Sequence, residues 1–196
     1  MPHIDSHCAN LALSGNPNES GDAGVIIADE DTCFIALIDV LGHGPKAAEL
    51  ASVVQDYLRA HNRENLDVLV QELHTHIKRS RGCVLFVGRL EIASGWFSFT
   101  GIGNINAKIF TMGDHRTLLS RDGIVGYSMA TPRLTRVQIT PRDVIILTSD
   151  GVRSHLNLFE RPELLRGNAQ NIAQQILSQF SKENDDASCL VLRYLK

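Results

Sequence analysis

Residues 32–46 read Thr-Cys-Phe-Ile-Ala-Leu-Ile-Asp-Val-Leu-Gly-His-Gly-Pro-Lys. An apolar run ends on a carboxylate, Asp39, and passes through Gly42 and Gly44 to Pro45, which suits the first position of a helix. The segment predicts a buried strand that delivers Asp39 to its open end. A loop follows whose glycines let backbone approach a ligand closely. From Pro45 to about His61, Ala47, Leu50, Ala51, Val54 and Leu58 recur at helical spacing. Leu66, Leu69, Val70, Leu73 and Ile77 share the face of a second helix over 65–79. Two successive helices exclude a strict βαβ alternation.

Working outward, residues 8–13 (CANLAL) and 24–29 (GVIIAD) read as strands ahead of this segment. After the helices come CVLFVGRLEI, GWFSFTGIG, NAKIF, RTLLS, TRVQIT and DVIILTS, all β-like runs separated by turns. Such a meander implies mostly antiparallel pairing. The pattern turns helical near 160–166 and over 169–181, and ASCLVLRYL closes as a strand. The expected fold is α+β: two mainly antiparallel sheets in a sandwich, with helices covering both outer faces. No linker or repeat divides residues 1–196, which read as a single domain.

A chain of 196 residues with 43% hydrophobic and 21% charged residues has an ordinary globular composition. A domain of this size buries roughly 70% of its unfolded surface and needs no disulfide staples. The net charge of −3 gives no basic footprint for nucleic acid. The N-terminus has no signal-peptide pattern, and no apolar run approaches the roughly 18 residues of a membrane span. The expectation is a soluble, cytoplasmic protein without membrane partners. Cys8, Cys33, Cys83 and Cys189 form no CxxC pair and read as buried free thiols.

Four aspartates stand in turn contexts just outside apolar runs: Asp22 in SGDAG, Asp39, Asp150 in LTSDGV, and Asp185 beside Asp186 in ENDDAS. A buried carboxylate is costly unless a cation or hydrogen bonds receive it. Gathered by the fold, these residues suit a hard divalent ion held by oxygen ligands. Each also has a bland reading. Asp39 can cap the turn before the helix, Asp150 can form an Asx turn, and Asp185-Asp186 can be a solvated pair. His43 reads as a loop residue ordering the turn rather than a general acid. His74 and His76, two apart on a helix, point to different sides. His3, Asp5, His7 and Cys8 lack a standard zinc spacing and read as a terminus.

Taken together, D-V-L-G-H-G-P-K-A-A from Asp39, T-S-D-G-V from Thr148 and D-D-A-S-C-L-V-L from Asp185 resemble the PPM-type metal-dependent serine/threonine phosphatases. The resemblance is to their bacterial SpoIIE/RsbU/RsbX branch and runs from about Ser20 to the C-terminus. It implies a four-layer α-β-β-α sandwich and a site for two Mn2+ or Mg2+ ions. Asp39 would bridge the ions, and the Val40 carbonyl would hold one of them, with Asp22 acting on that side partly through water. Asp150 and Asp185 would hold the other, and Asp186 is the less favoured member of its pair. The implied reaction is phosphate-ester hydrolysis without a phosphoenzyme, centred on Asp39 and Asp150.

The short stretch before Asp22 favours the stand-alone RsbX type. That resemblance implies dephosphorylation of STAS-domain stressosome proteins as feedback on a stress response. The alternatives are an RsbU-like phosphatase acting on a phosphorylated anti-anti-sigma factor, and a metal-poor pseudophosphatase that binds a phosphorylated partner. The branch further implies that helices 45–61 and 65–79 act as a switch completing the metal site. Two departures stand out. Val40 occupies a position usually held by glycine, and a β-branched residue resists positive φ, which would weaken the second metal site. GIGNINAKIF replaces a glycine-histidine-proline segment and is expected to alter the floor of the site.

Overall fold

The computed structural model describes residues 3–111, 113–153 and 162–195. Strands β1 (His3–Leu11), β2 (Asp22–Ala28) and β3 (Thr32–Val40) lead into helices α1 (Pro45–Ala60) and α2 (Leu66–His76). Then come β4 (Cys83–Glu91), β5 (Trp96–Ile102), β6 (Asn106–Thr111) and β7 (Asp114–Thr117). Short strands β8 (Gly123–Ile124) and β9 (Ser128–Met129) form a small hairpin, which the sequence pattern did not announce. The chain closes with β10 (Thr135–Gln138), β11 (Val144–Thr148), α3 (Ala169–Phe180) and β12 (Ala187–Leu195).

Two five-stranded sheets result, ordered β1-β12-β11-β6-β7 and β10-β5-β4-β3-β2, with every ladder antiparallel. The expected sandwich is therefore present, with helices on both outer faces. Ala47, Ala51, Val54 and Leu58 of α1 and Leu66, Leu69, Val70 and Leu73 of α2 pack on the second sheet. Ile172, Ala173, Ile176 and Leu177 of α3 pack on the first. The helix expected near 160–166 is a 3-10 turn at Pro162–Leu165, and residues 160 and 161 lie outside the described residues.

Strand β3 shows why its sequence is apolar throughout. Cys33, Ile35 and Leu37 face the space between the sheets, while Phe34, Ala36, Ile38 and Val40 face the helices. Both faces are buried, so the alternation of a half-exposed strand disappears. The same period-two rule puts Asp39 on the inter-sheet side, one step beyond Leu37, where the sandwich opens.

The N-terminus corrects its sequence reading. His3–Leu11 is an edge strand paired with β12 along its whole length, not a loose terminus. Ile4 and Cys8 pack into the inter-sheet core. On the other face, Asp5 Oδ2 accepts from the Ala169 N–H at the start of α3 (2.8 Å) and from Arg193 (3.1 Å). Half-polar alternation in an edge strand hides the strand signal.

Candidate metal centre

At the open end of the sandwich, β2 and β3 place Asp22 directly opposite Asp39. The Val40 N–H donates to Gly21 O (3.1 Å), and the Asp29 N–H to Thr32 O (2.9 Å). These bonds fix the ladder's alternation, so Asp22 and Asp39 form a non-hydrogen-bonded pair, the class in which side chains lie closer. Both project between the sheets. From the opposite sheet, β11 runs into Ser149 and Asp150, and β12 begins just after Asp185 and Asp186.

The five aspartates line one cavity of about 480 Å³ together with Asn104, Asp122 and the Val40–Gly42 loop. All four sequence-predicted aspartates and Val40 are thus brought to one place. Asp122 and Asn104 escaped the sequence reading. Asp122 immediately precedes β8, and in the sequence its Asp-Gly pair looks like any surface turn. Asn104 donates from Nδ2 to Asp150 Oδ2 (3.0 Å) and stands where the altered floor was expected. His43 is exposed and does not line the cavity. His74 and His76 diverge as expected: His74 Nδ1 accepts from the Gly126 N–H (3.0 Å), whereas His76 packs on Tyr57.

Asp185 and Asp186 divide their work. The Asp186 side chain is buried; Oδ1 accepts from the Leu13 N–H and Oδ2 from the Gly21 N–H, both at 2.7 Å. It ties the loop before β2 to the start of β12. Asp185 is only half-buried and lines the cavity. Gly151 shows how tightly this region is built: a Cβ there would fall 1.8 Å from the Asp186 carbonyl oxygen.

Val40 lies in β3 with extended backbone and is absent from the described residues with positive φ. Its side chain is buried toward the helices, and the residue lies at the edge of the cavity. The Gly21 N–H, which the ladder would otherwise aim at the Val40 carbonyl, is taken by Asp186. Positive φ is confined to the loop glycines beyond it, Gly42 (+81°) and Gly44 (+82°), where the chain turns into α1.

The electrostatics call for a cation. Burial pushes the Asp22 carboxyl up to about 7, with Ser149 and Ser188 hydroxyls opposing and the Asp186 and Asp185 charges adding. Asp22 Oδ2 is nevertheless buried without a hydrogen-bond partner, as is Ser188 Oγ. Burial, then the charges of Asp22, Asp150, Asp185 and Asp186, push Asp39 up to about 8. Asp185 is raised by burial and Asp150, against a hydrogen bond from the Asp186 N–H. Among the described residues, no lysine or arginine lines the cavity. An all-oxygen donor set with an orphaned buried carboxylate oxygen fits a hard divalent ion. Among the described residues, no three acidic, histidine or cysteine groups converge closely enough to form a closed metal site. Ion binding therefore requires the carboxylates to turn inward and to release protons.

A family model described as Stage II sporulation protein E (SpoIIE) matches residues 29–195, and the chain belongs to this family of PPM-type phosphatase domains. None of the curated proteins compared matches significantly. Among solved structures, a chain from work on the bacterial stressosome as a modular system adapted to control secondary messenger signalling superposes with a TM-score of 0.89. It is 24% identical, over 97% of this chain and 100% of that one. RsbX in complex with magnesium gives a TM-score of 0.84 at 18% identity, covering 98% of this chain and 96% of that chain. The PP2C phosphatase domain of SpoIIE from Bacillus subtilis, solved with a fragment of its regulatory domain, gives 0.81 at 15% identity, covering 99% and 62%. At these identities the likeness is one of fold.

Proposed function

We propose that this protein is a cytoplasmic metal-dependent protein serine/threonine phosphatase of the RsbX type. Its substrates would be phosphorylated STAS-domain proteins of a stressosome, dephosphorylated as feedback on a stress response. The observation that carries the phosphatase reading is the convergence of Asp22 and Asp39 from one sheet with Asp150 and Asp185 from the other around a single cavity. The substrate class rests on resemblance to RsbX-type proteins.

Asp39, centrally placed, would bridge two Mn2+ or Mg2+ ions. Asp22 and the Val40 carbonyl would serve one ion and Asp150 and Asp185 the other. Bound there, such ions supply a water acidic enough to attack a phosphoryl group and positive charge for its oxygens. The chain's own part is positioning. Asn104 donates to one Asp150 oxygen and so helps to orient that carboxylate. Asp186 locks the β2 loop against β12 and thereby fixes where Asp22 stands. The apolar side chains of Val84 and Ile124 wall the cavity, which strengthens charge interactions inside it. No cysteine lines the cavity to act as a nucleophile.

The test is manganese-dependent release of phosphate from a serine-phosphorylated STAS-domain stressosome protein, wild type against Asp150→Asn. An anti-anti-sigma phosphoprotein assayed in parallel separates RsbX-type from RsbU-type specificity. The open arrangement of the carboxylates favours a second reading, a phosphoprotein-binding domain with little metal. Turnover of a generic aryl phosphate with Mn2+ excludes that reading; absence of turnover on every substrate sinks the enzyme.

A further inference from the structure

A second cavity, of about 540 Å³, abuts the aspartate cavity and carries the opposite charge. Arg116, Arg121 and Arg133 line it, and among the described residues no aspartate or glutamate does. The three arginines are exposed, and none forms an ion pair among the described residues. The Arg116 guanidinium donates to the Gln138 carbonyl (3.1 Å). Phe99 contributes an apolar surface, Leu119 is 78% exposed beside the arginines, and Ser120 Oγ is buried without a partner.

The two cavities share their dividing wall. Gly101 and Arg121 line the basic one, while Gly103 and Asp122 line the acidic one. Arg121 N–H donates to Gly101 O and Gly103 N–H donates to Arg121 O, both at 2.8 Å, so the wall is a hydrogen-bonded ribbon. Glycine at 101 lets the Ser120 segment pack directly on β5, since a Cβ there would fall 2.2 Å from Ser120 Oγ. A polypeptide lying across this ribbon would have one residue over the aspartates and its neighbours over the arginines.

We propose that the Arg116–Arg121–Arg133 groove docks an acidic segment of the phosphoprotein whose phosphorylated residue enters the neighbouring aspartate cavity. The proposal rests on the phosphatase reading above for its choice of partner. Guanidinium groups pair with carboxylates bidentately, and three of them without a carboxylate partner among the described residues form a field that selects an acidic chain. They also offset the repulsion that the aspartates present to an approaching phosphoprotein. Leu119 supplies apolar contact at the rim.

The experiment compares two fluorescent phosphoserine peptides, one flanked by glutamates and the other by glutamines, binding to the full chain in EDTA. Both carry the phosphate, so their difference reports the flanking charge alone. The glutamate peptide is expected to bind at least about tenfold tighter, the scale of one charge-assisted hydrogen bond. That advantage should collapse in Arg121→Glu and in Arg116→Glu/Arg133→Glu, and survive in Arg166→Glu, an exposed control near α3. Arg121→Gln and Arg133→Gln carry the same test if a charge reversal unfolds the protein. Equal binding of the two peptides, or an advantage that survives in the groove variants, overturns the proposal. So does its loss in Arg166→Glu. Aryl-phosphate turnover by the wild-type protein with Mn2+ tests the phosphatase reading separately, because the peptide comparison needs no catalysis.

Discussion

Asp22 and Asp39 face each other as a directly opposed, non-hydrogen-bonded pair across β2 and β3, and both are pushed far above the ordinary carboxylate range. Like charges in that relation are destabilising. Burial makes the pair worse, because each carboxylate loses water without gaining a cationic side chain. A strand pair that ends in this way is built around something positive.

The first prediction concerns pH. In the metal-free protein Asp22 and Asp39 hold their protons to about 7 and about 8, against 3.8 ordinarily. Below about pH 4 both folded and unfolded chains are protonated there, and the pair does not affect stability. As pH rises from about 4 to about 8, the unfolded chain releases these protons first, so stability falls. Thermal unfolding in EDTA should show Tm dropping across that window, and Asp39→Asn should flatten the drop. Saturating Mn2+ should abolish it, because the folded carboxylates then ionise on the metal. A flat Tm profile in EDTA would contradict the coupling.

Neighbouring acids should fail in different ways. Asp186→Ala removes the acceptor for two backbone N–H groups, those of Leu13 and Gly21. The Gly21 N–H is buried and the Leu13 N–H only partly so, and their loss of a partner is expected to lower stability by about 1–3 kcal/mol, measured by urea unfolding. Asp185→Ala should leave stability within about 0.5 kcal/mol, since its side chain is half-buried and bonds only the next N–H. Its effect should appear instead as weaker Mn2+ binding by calorimetry. Equal destabilisation by both would refute the division of labour.

Much of this arrangement was legible in the chain. Period-two patterning of Cys33, Ile35 and Leu37 against Phe34, Ala36 and Ile38 already places Asp39 on one face, and the glycine loop places it at an end. The contexts of Asp150 and Asp185 are strand boundaries, which apolar runs mark well. What could not be read was pairing across distance. Nothing local to Asp22 says that it registers with Asp39 rather than with Ile38. A one-residue slip would send it to the other face. Asp122 and Asn104 are ordinary turn residues until β5 and the β8–β9 hairpin bring them to the cavity. Only the second half of β1 was legible, as the run 8–13; its first half reads as a terminus because His3, Asp5 and His7 fill one face with polar side chains.

Asp150→Asn should separate chemistry from folding. Asp150 is exposed, and its recorded partner is the Asn104 amide, which can rotate to suit either side chain. Tm should therefore shift little. Manganese-dependent phosphate release should fall by about 100-fold or more, the scale seen when a charge-stabilising group is removed from a reacting centre. A loss smaller than about threefold would remove Asp150 from the reaction.

Val40 gives the sharpest separation of side chain from backbone. The residue is 1% exposed and its isopropyl group packs with the α1 and α2 core, while its main chain is extended at the edge of the aspartate cavity. An extended residue needs no glycine, so the side chain should matter to stability and the carbonyl to the ion. Val40→Gly should lower stability by about 3 kcal/mol, from lost methyl burial and from backbone entropy. Mn2+ affinity, measured by calorimetry at a temperature where the variant stays folded, should change by less than about threefold. Tightening of Mn2+ binding by tenfold or more would show instead that valine restrains the carbonyl, and that glycine frees it to turn toward the metal.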